Sequence, residues 1–157
     1  MSDAFRTSID IDAPLEHVFD HFVRPELLVR WMGDAARLEA QDGGVFSVDI
    51  NGVLIRGHFV RVDRPRLIEV AWGELGNEAM PPGATRLRVA FEARGPTTRV
   101  TLEHTGLDPA EAAKHAVGWP HFMGRLEVLA GGGDPGPDPW KTSPPAGSVQ
   151  SEQPRAS

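Results

Sequence analysis

Residues 44–63, Gly-Val-Phe-Ser-Val-Asp-Ile-Asn-Gly-Val-Leu-Ile-Arg-Gly-His-Phe-Val-Arg-Val-Asp, decide the fold. Asn51-Gly52 is the signature of a two-residue hairpin turn, so Ile50 pairs with Val53, Val48 with Ile55 and Phe46 with Gly57. Working outward, a turn at Asp63-Arg-Pro-Arg66 sets Phe59 opposite Val70 and Gly57 opposite Trp72. A Gly95-Pro96 turn sets Phe91 opposite Val100, Val89 opposite Leu102 and Leu87 opposite His104. Side chains alternate along a strand, so these registers agree only if Phe46, Val48, Ile50, Ile55, Phe59, Ile68, Val70 and Trp72 share a face with Leu87, Val89, Phe91, Val100, Leu102 and His104. The opposite face is charged, with Arg88 facing Glu103 and Glu92 facing Arg99. A one-sided antiparallel sheet of this kind must be covered by something else.

The strands are expected near 35–40, 44–51, 53–63, 66–74, 84–94 and 97–106, preceded by an alternating strand over 5–12. Asp12 and Pro14 open a short helix carrying Leu15, Val18, Phe19 and Phe22 to about Val23. Pro25 starts a second that runs through Trp31 and Met32 to Gly33. Asp108, Pro109 and Glu111 read as a capping-box start to a long helix ending near Ala130, with His115, Trp119, Phe122, Leu126 and Leu129 on one stripe. Pro120 predicts a kink or break at 118–120. Residues 1–130 thus form one domain. Residues 131–157, Gly-, Pro- and Ser-rich without periodicity, read as a disordered tail in which Trp140 is solvated.

The chain has 157 residues with a formal charge of -6, which disfavours a nucleic-acid partner. It has no cysteine, so disulfides and thiolate metal sites are excluded and the cytoplasm is the default compartment. No segment has the length and apolarity of a membrane span. Phosphate-loop, nucleophile-elbow and zincin motifs are absent, and no cofactor is implied. His17 and His21 stand one helical turn apart with Asp20 between them, a spacing that can chelate zinc, but no third ligand is evident and the pair reads as solvated.

The order of strand, two short helices, six-strand meander and long terminal helix resembles the helix-grip fold of the START-like (SRPBCC) superfamily, an α+β architecture in which a curved sheet wraps the last helix. The closer resemblance is to its branch similar to the activator of the heat-shock protein 90 ATPase. It rests on Ile11-Asp-Ala-Pro14 before Val18-Phe19, Pro25-Glu-Leu-Leu28 before Arg30-Trp31, Gly43-Gly-Val-Phe46, Asp63-Arg-Pro65 before Leu67-Ile68, Trp72, Val100-Thr-Leu-Glu-His104-Thr-Gly106 and Gly118-Trp-Pro120. Members are known as carriers of hydrophobic molecules, polyketide cyclases and aromatases, self-sacrificing resistance proteins and chaperone regulators, so the resemblance implies a fold and leaves the activity open.

Three functions follow as expectations. The first is binding of a small hydrophobic or aromatic molecule between sheet and terminal helix. Gly57, facing inward between Phe46 and Trp72, is expected to mark a hollow. Trp31, Ile55, Phe59, Phe91, Trp119, Phe122 and Met123 are its expected lining. His104, the one inward imidazole of the meander, is either a satisfied core histidine or a polar anchor for the ligand. The second is a polyketide cyclase or aromatase in which His104 moves a proton, although no catalytic dyad is visible. The third is a chaperone regulator that works through its surface. A homodimer is left open.

Overall fold

The computed structural model describes residues 3–143. In chain order it contains β1 (Asp3–Ile11), α1 (Leu15–Val23), α2 (Pro25–Leu28), β2 (Ala35–Leu38), β3 (Val45–Ile50), β4 (Val53–Asp63), β5 (Leu67–Glu74), β6 (Thr85–Arg94), β7 (Thr97–Leu107), α3 (Pro109–Ala130) and a 3-10 turn over Pro139–Lys141. The seven strands form one antiparallel sheet in the order β1-β7-β6-β5-β4-β3-β2. Asn51 and Gly52 both have positive φ (51° and 91°), the conformation a primed hairpin turn demands, and it sets Ile50 on Val53. The deduced pairs are all present: Phe46 with Gly57, Gly57 with Trp72, Phe59 with Val70, Leu87 with His104 and Phe91 with Val100.

The inner face is as expected. Phe59, Val70, Val89, Val100, Leu102 and His104 are wholly buried. The helix α3 lies along β1 and touches α1, closing the concave side. On the outer face the register pairs Arg88 with Glu103 and Glu92 with Arg99. Their ion pairs form elsewhere: Arg88 leans to Glu69 on β5 (3.4 Å), and Arg99 to Asp10 on β1 (2.9 Å). A side chain on a twisted sheet can reach either neighbouring strand, and these exposed pairs each contribute little.

Four expectations about the helices and the tail are corrected. Asp12 does not cap α1, whose N-cap is Pro14 with no side-chain bond. The second helix stops at Leu28, and only turns continue to Met32. The third helix is not broken at Pro120 but runs as one element from Pro109 to Ala130. Pro120 and Ala116, whose carbonyl the proline leaves without its helical donor, are both exposed, so water can satisfy that carbonyl. The start of α3 is as read, since Asp108 accepts a hydrogen bond from Glu111 N (2.8 Å).

The fourth correction concerns the tail. Residues 131–143 are packed on the domain instead of trailing from it, whereas 144–157 lie outside the described residues. Arg125 on α3 clamps the segment by donating to the carbonyls of Gly136 (2.9 Å) and Pro135 (3.4 Å), while its other contacts are to the carbonyls of Trp31 (3.2 Å) and Arg30 (3.3 Å). Asp138 accepts from His121 (2.8 Å), Trp140 N (2.9 Å) and Asn51 (3.3 Å). Burial would raise this carboxyl, but those three hydrogen bonds outweigh it and hold it below the ordinary carboxylate range. Trp140 is half-buried, stacked on His121 at 3.5 Å between ring centroids with 8° between the planes.

Candidate functional site

The expected lining residues are brought inside, though not around one hollow. Trp72 on β5 is the hub, with ring centroids 5.8 Å from Phe46, 5.3 Å from Trp119 and 5.4 Å from His104. Phe46 extends the group to Phe59 at 5.4 Å. Ile55 and Met123 are buried in the same core. Trp31 and Phe91 belong to a second group: each packs on Phe22, at 5.0 and 5.2 Å, and the Trp31 indole donates to the His21 carbonyl (2.9 Å). Phe122 points to the C-terminal segment, 5.7 Å from Trp140.

Gly57 does not mark a hollow. A Cβ built there meets the carbonyl oxygen of Ala71 at 1.6 Å, so the missing side chain admits the backbone of β5. A bulge between Phe59 and Arg61 follows directly, where the two strands change register. Glycine in a strand has either meaning, and here it marks close approach.

His104 has no free nitrogen. Trp119 Nε1 can only donate, and it donates to His104 Nδ1 (3.1 Å), which therefore holds the lone pair. The proton sits on Nε2 and is donated to Thr85 Oγ1 (2.8 Å), whose hydroxyl donates to the Trp72 carbonyl (2.7 Å). Burial, with a smaller contribution from neighbouring His115, pushes the His104 pKa down to about 2. A second proton would have to displace the Trp119 N–H, so this is a neutral, fully satisfied imidazole that cannot accept a proton near pH 7.

The unsatisfied groups lie beside it. Trp72 Nε1 and Glu111 Oε1 are buried without a hydrogen-bond partner among the described residues. Glu111, read as a capping residue, instead turns its carboxylate inward: Oε2 accepts from Asn77 on the β5–β6 loop (3.1 Å) and lies 3.6 Å from Lys114 Nζ. His115, one turn along α3, spends Nδ1 on the Glu111 carbonyl (2.7 Å), and burial pushes its pKa down too. Thr85, Asn77, Glu111 and His115 were not among the expected site residues. Of these, His115 carried a signal, its place on the stripe of α3 with Trp119 and Phe122, whereas Thr85 comes in through its pairing with Trp72.

His17 and His21 are not a solvated pair. His21 is buried with Nδ1 bonded to the His17 carbonyl (2.8 Å), and burial lowers its pKa. Among the described residues no group of three or more His, Asp or Glu side chains is placed to hold a metal ion, and no helix is long and apolar enough to cross a membrane. A cleft of about 240 Å³ opens between the α2–β2 connection and the C-terminal segment, bordered by Arg30, Met32, Pro137 and Lys141; of the expected site residues only Trp31 touches it.

A curved seven-stranded antiparallel sheet closed by a long C-terminal helix, with short helices after the first strand and an aromatic interior, is the helix-grip architecture. Within that class, residues 12–131 match the family described as activator of Hsp90 ATPase homolog 1-like protein, and the chain belongs to it. An AHSA1-like protein from Rhizobium etli has 35% sequence identity and a TM-score of 0.71, with 89% of each chain covered. Two further solved structures share the fold. CalU16 from Micromonospora echinospora has 22% identity and a TM-score of 0.71, over 87% of this chain and 78% of that one. An HSP90 activator from Plasmodium falciparum has 23% identity and a TM-score of 0.66, over 82% and 96%. No curated protein sequence matches the chain.

Proposed function

We propose that the chain is a cytoplasmic binding module that holds a small apolar or aromatic molecule between the sheet and the first half of α3, against Trp72, Trp119 and Phe46. The observation that carries this reading is the Trp72 indole N–H. It is a buried donor with no acceptor among the described residues, at the centre of an otherwise paired ring cluster. Leaving such a group unpaired costs about 1–3 kcal/mol, a cost a ligand that accepts from it would remove. The rings supply the surface, and binding needs the α3 end near His115 to open because the rings now touch one another. His104 organises Trp119 and Thr85 and takes no part in proton transfer, which removes the base from the cyclase alternative.

The test is native mass spectrometry of the purified protein together with an NMR titration with naphthalene. A retained apolar compound, or saturable shifts centred on the Trp72 and Trp119 indole N–H signals, supports the reading. Shifts scattered over the surface without saturation overturn it.

A second reading, chaperone regulation, is favoured by the family description and the shared fold with an HSP90 activator. It would act through the outer surface. Stimulation of a chaperone ATPase that persists in Trp72→Phe and Trp119→Phe proteins would favour it over the ligand reading.

A further inference from the structure

Resting on the ligand reading, we infer that the bound molecule carries a hydroxyl group, received at the corner where Trp72, His115 and Glu111 meet beneath the first turns of α3. Two orphans of opposite kind lie near His115. The Trp72 ring lies 6.3 Å from it, and Glu111 Oε1 lies 3.9 Å from its Nδ1. Trp72 Nε1 is a donor lacking an acceptor, and Glu111 Oε1 an acceptor lacking a donor. His115 cannot serve Oε1, because its Nδ1 proton is already given to the Glu111 backbone carbonyl. That same bond leaves His115 Nε2 holding a lone pair, a further acceptor.

The carboxylate is held in place by the chain and is not a solvated end. Its side chain is 4% exposed, and Asn77 and Lys114 both engage the other oxygen, Oε2. The corner therefore offers one N–H and two acceptor atoms, and each class of ligand group can be weighed against that set. A ketone or ether accepts from Trp72 and leaves Glu111 without a donor. An ammonium serves Glu111 and leaves Trp72 without an acceptor. A carboxylate brings negative charge against a buried carboxylate. A hydroxyl alone among these groups can both accept from Trp72 and donate to Glu111, so it is the group whose chemistry answers both kinds of orphan. On an apolar body, this describes a phenol or a lipophilic alcohol.

The experiment compares 4-ethylphenol with 4-ethyltoluene, which differ by a hydroxyl in place of a methyl, followed through the Trp72 indole N–H resonance of the full chain. The expected result is roughly tenfold tighter binding of 4-ethylphenol, the worth of a hydrogen bond to a charged partner, with a downfield move of that resonance. In Glu111→Gln and Trp72→Phe proteins the ratio of the two affinities falls towards one, with the remaining indole signals reporting in the latter. Equal affinities for the wild-type chain overturn the hydroxyl inference, leave the ligand reading intact and assign the orphans to a resident water. A preference that survives both substitutions also overturns it, by placing the hydroxyl elsewhere. Binding of neither compound removes the ligand reading itself.

Discussion

Two patches of the same interior, within one turn of α3 of each other, are built to opposite rules. Around His104 every polar atom is matched: Trp119 donates to it, it donates to Thr85, and Thr85 donates to the Trp72 carbonyl. Around His115 two buried atoms, Trp72 Nε1 and Glu111 Oε1, are left unmatched. Low dielectric strengthens a satisfied network and penalises an unsatisfied one, so the first patch holds the fold together and the second weakens it. The difference teaches that a buried histidine is a poor guide to a site when its partners are complete. The informative atoms are those whose partners the described residues do not supply.

The harshest way to break this contrast is His104→Ala. It leaves a cavity and strips the Trp119 N–H of its acceptor, and should cost roughly 3–5 kcal/mol in chemical denaturation. A loss under 1 kcal/mol would mean the network is incidental.

Acid is the next lever. His104 is neutral in the fold, with a pKa of about 2 against 6.5 for the free side chain. Above pH 6.5 neither state binds the proton and the contribution is intact. Below it only the unfolded chain is protonated, so stability falls by about 1.4 kcal/mol per pH unit, or roughly 2 kcal/mol from pH 6.5 to 5. The lowered pKa values of His115 and His21 act in the same direction. Denaturation midpoints in a His104→Gln protein should show a flatter pH slope over that range, and an unchanged slope would contradict the assignment.

The finest comparison sets Trp119→Phe against Trp72→Phe. Both remove the same ring volume, but the first deprives His104 of its donor and the second removes a donor that had no acceptor. Trp119→Phe should be the more destabilising by about 1–2 kcal/mol. Equal losses would show that Trp72 Nε1 is paired after all.

The sheet was legible because its turns carry their own chemistry. Asn51-Gly52, Asp63-Arg-Pro-Arg66 and Gly95-Pro96 set strand registers that place fourteen residues inward, and the structure keeps the deduced pairings. Gly57 was misread because a small residue in a strand looks the same whether it makes room for a ligand or for a neighbouring backbone; the Ala71 carbonyl of the adjacent strand decides, and nothing local to Gly57 announces it. Glu111 was absorbed into a helix-start pattern, since local spacing shows Lys114 one turn on but says nothing of Asn77, 34 positions away. Residues 131–143 have the composition of a tail, but Asp138 and Trp140 find His121 and Asn51, partners supplied by distant parts of the chain.

The strand β1 carries a consequence for biosynthesis. Its partner is β7, and Ser8 and Thr101, bonded at 3.0 Å, are 93 positions apart. Within the sheet β1 therefore has no edge to join until β7 has been made. Because α3 packs chiefly on β1, most of its docking surface is in place only once that pairing has formed. Closure of the domain waits for β7 and α3, and until they are made Phe5, Ile9 and Ile11 lack their cover.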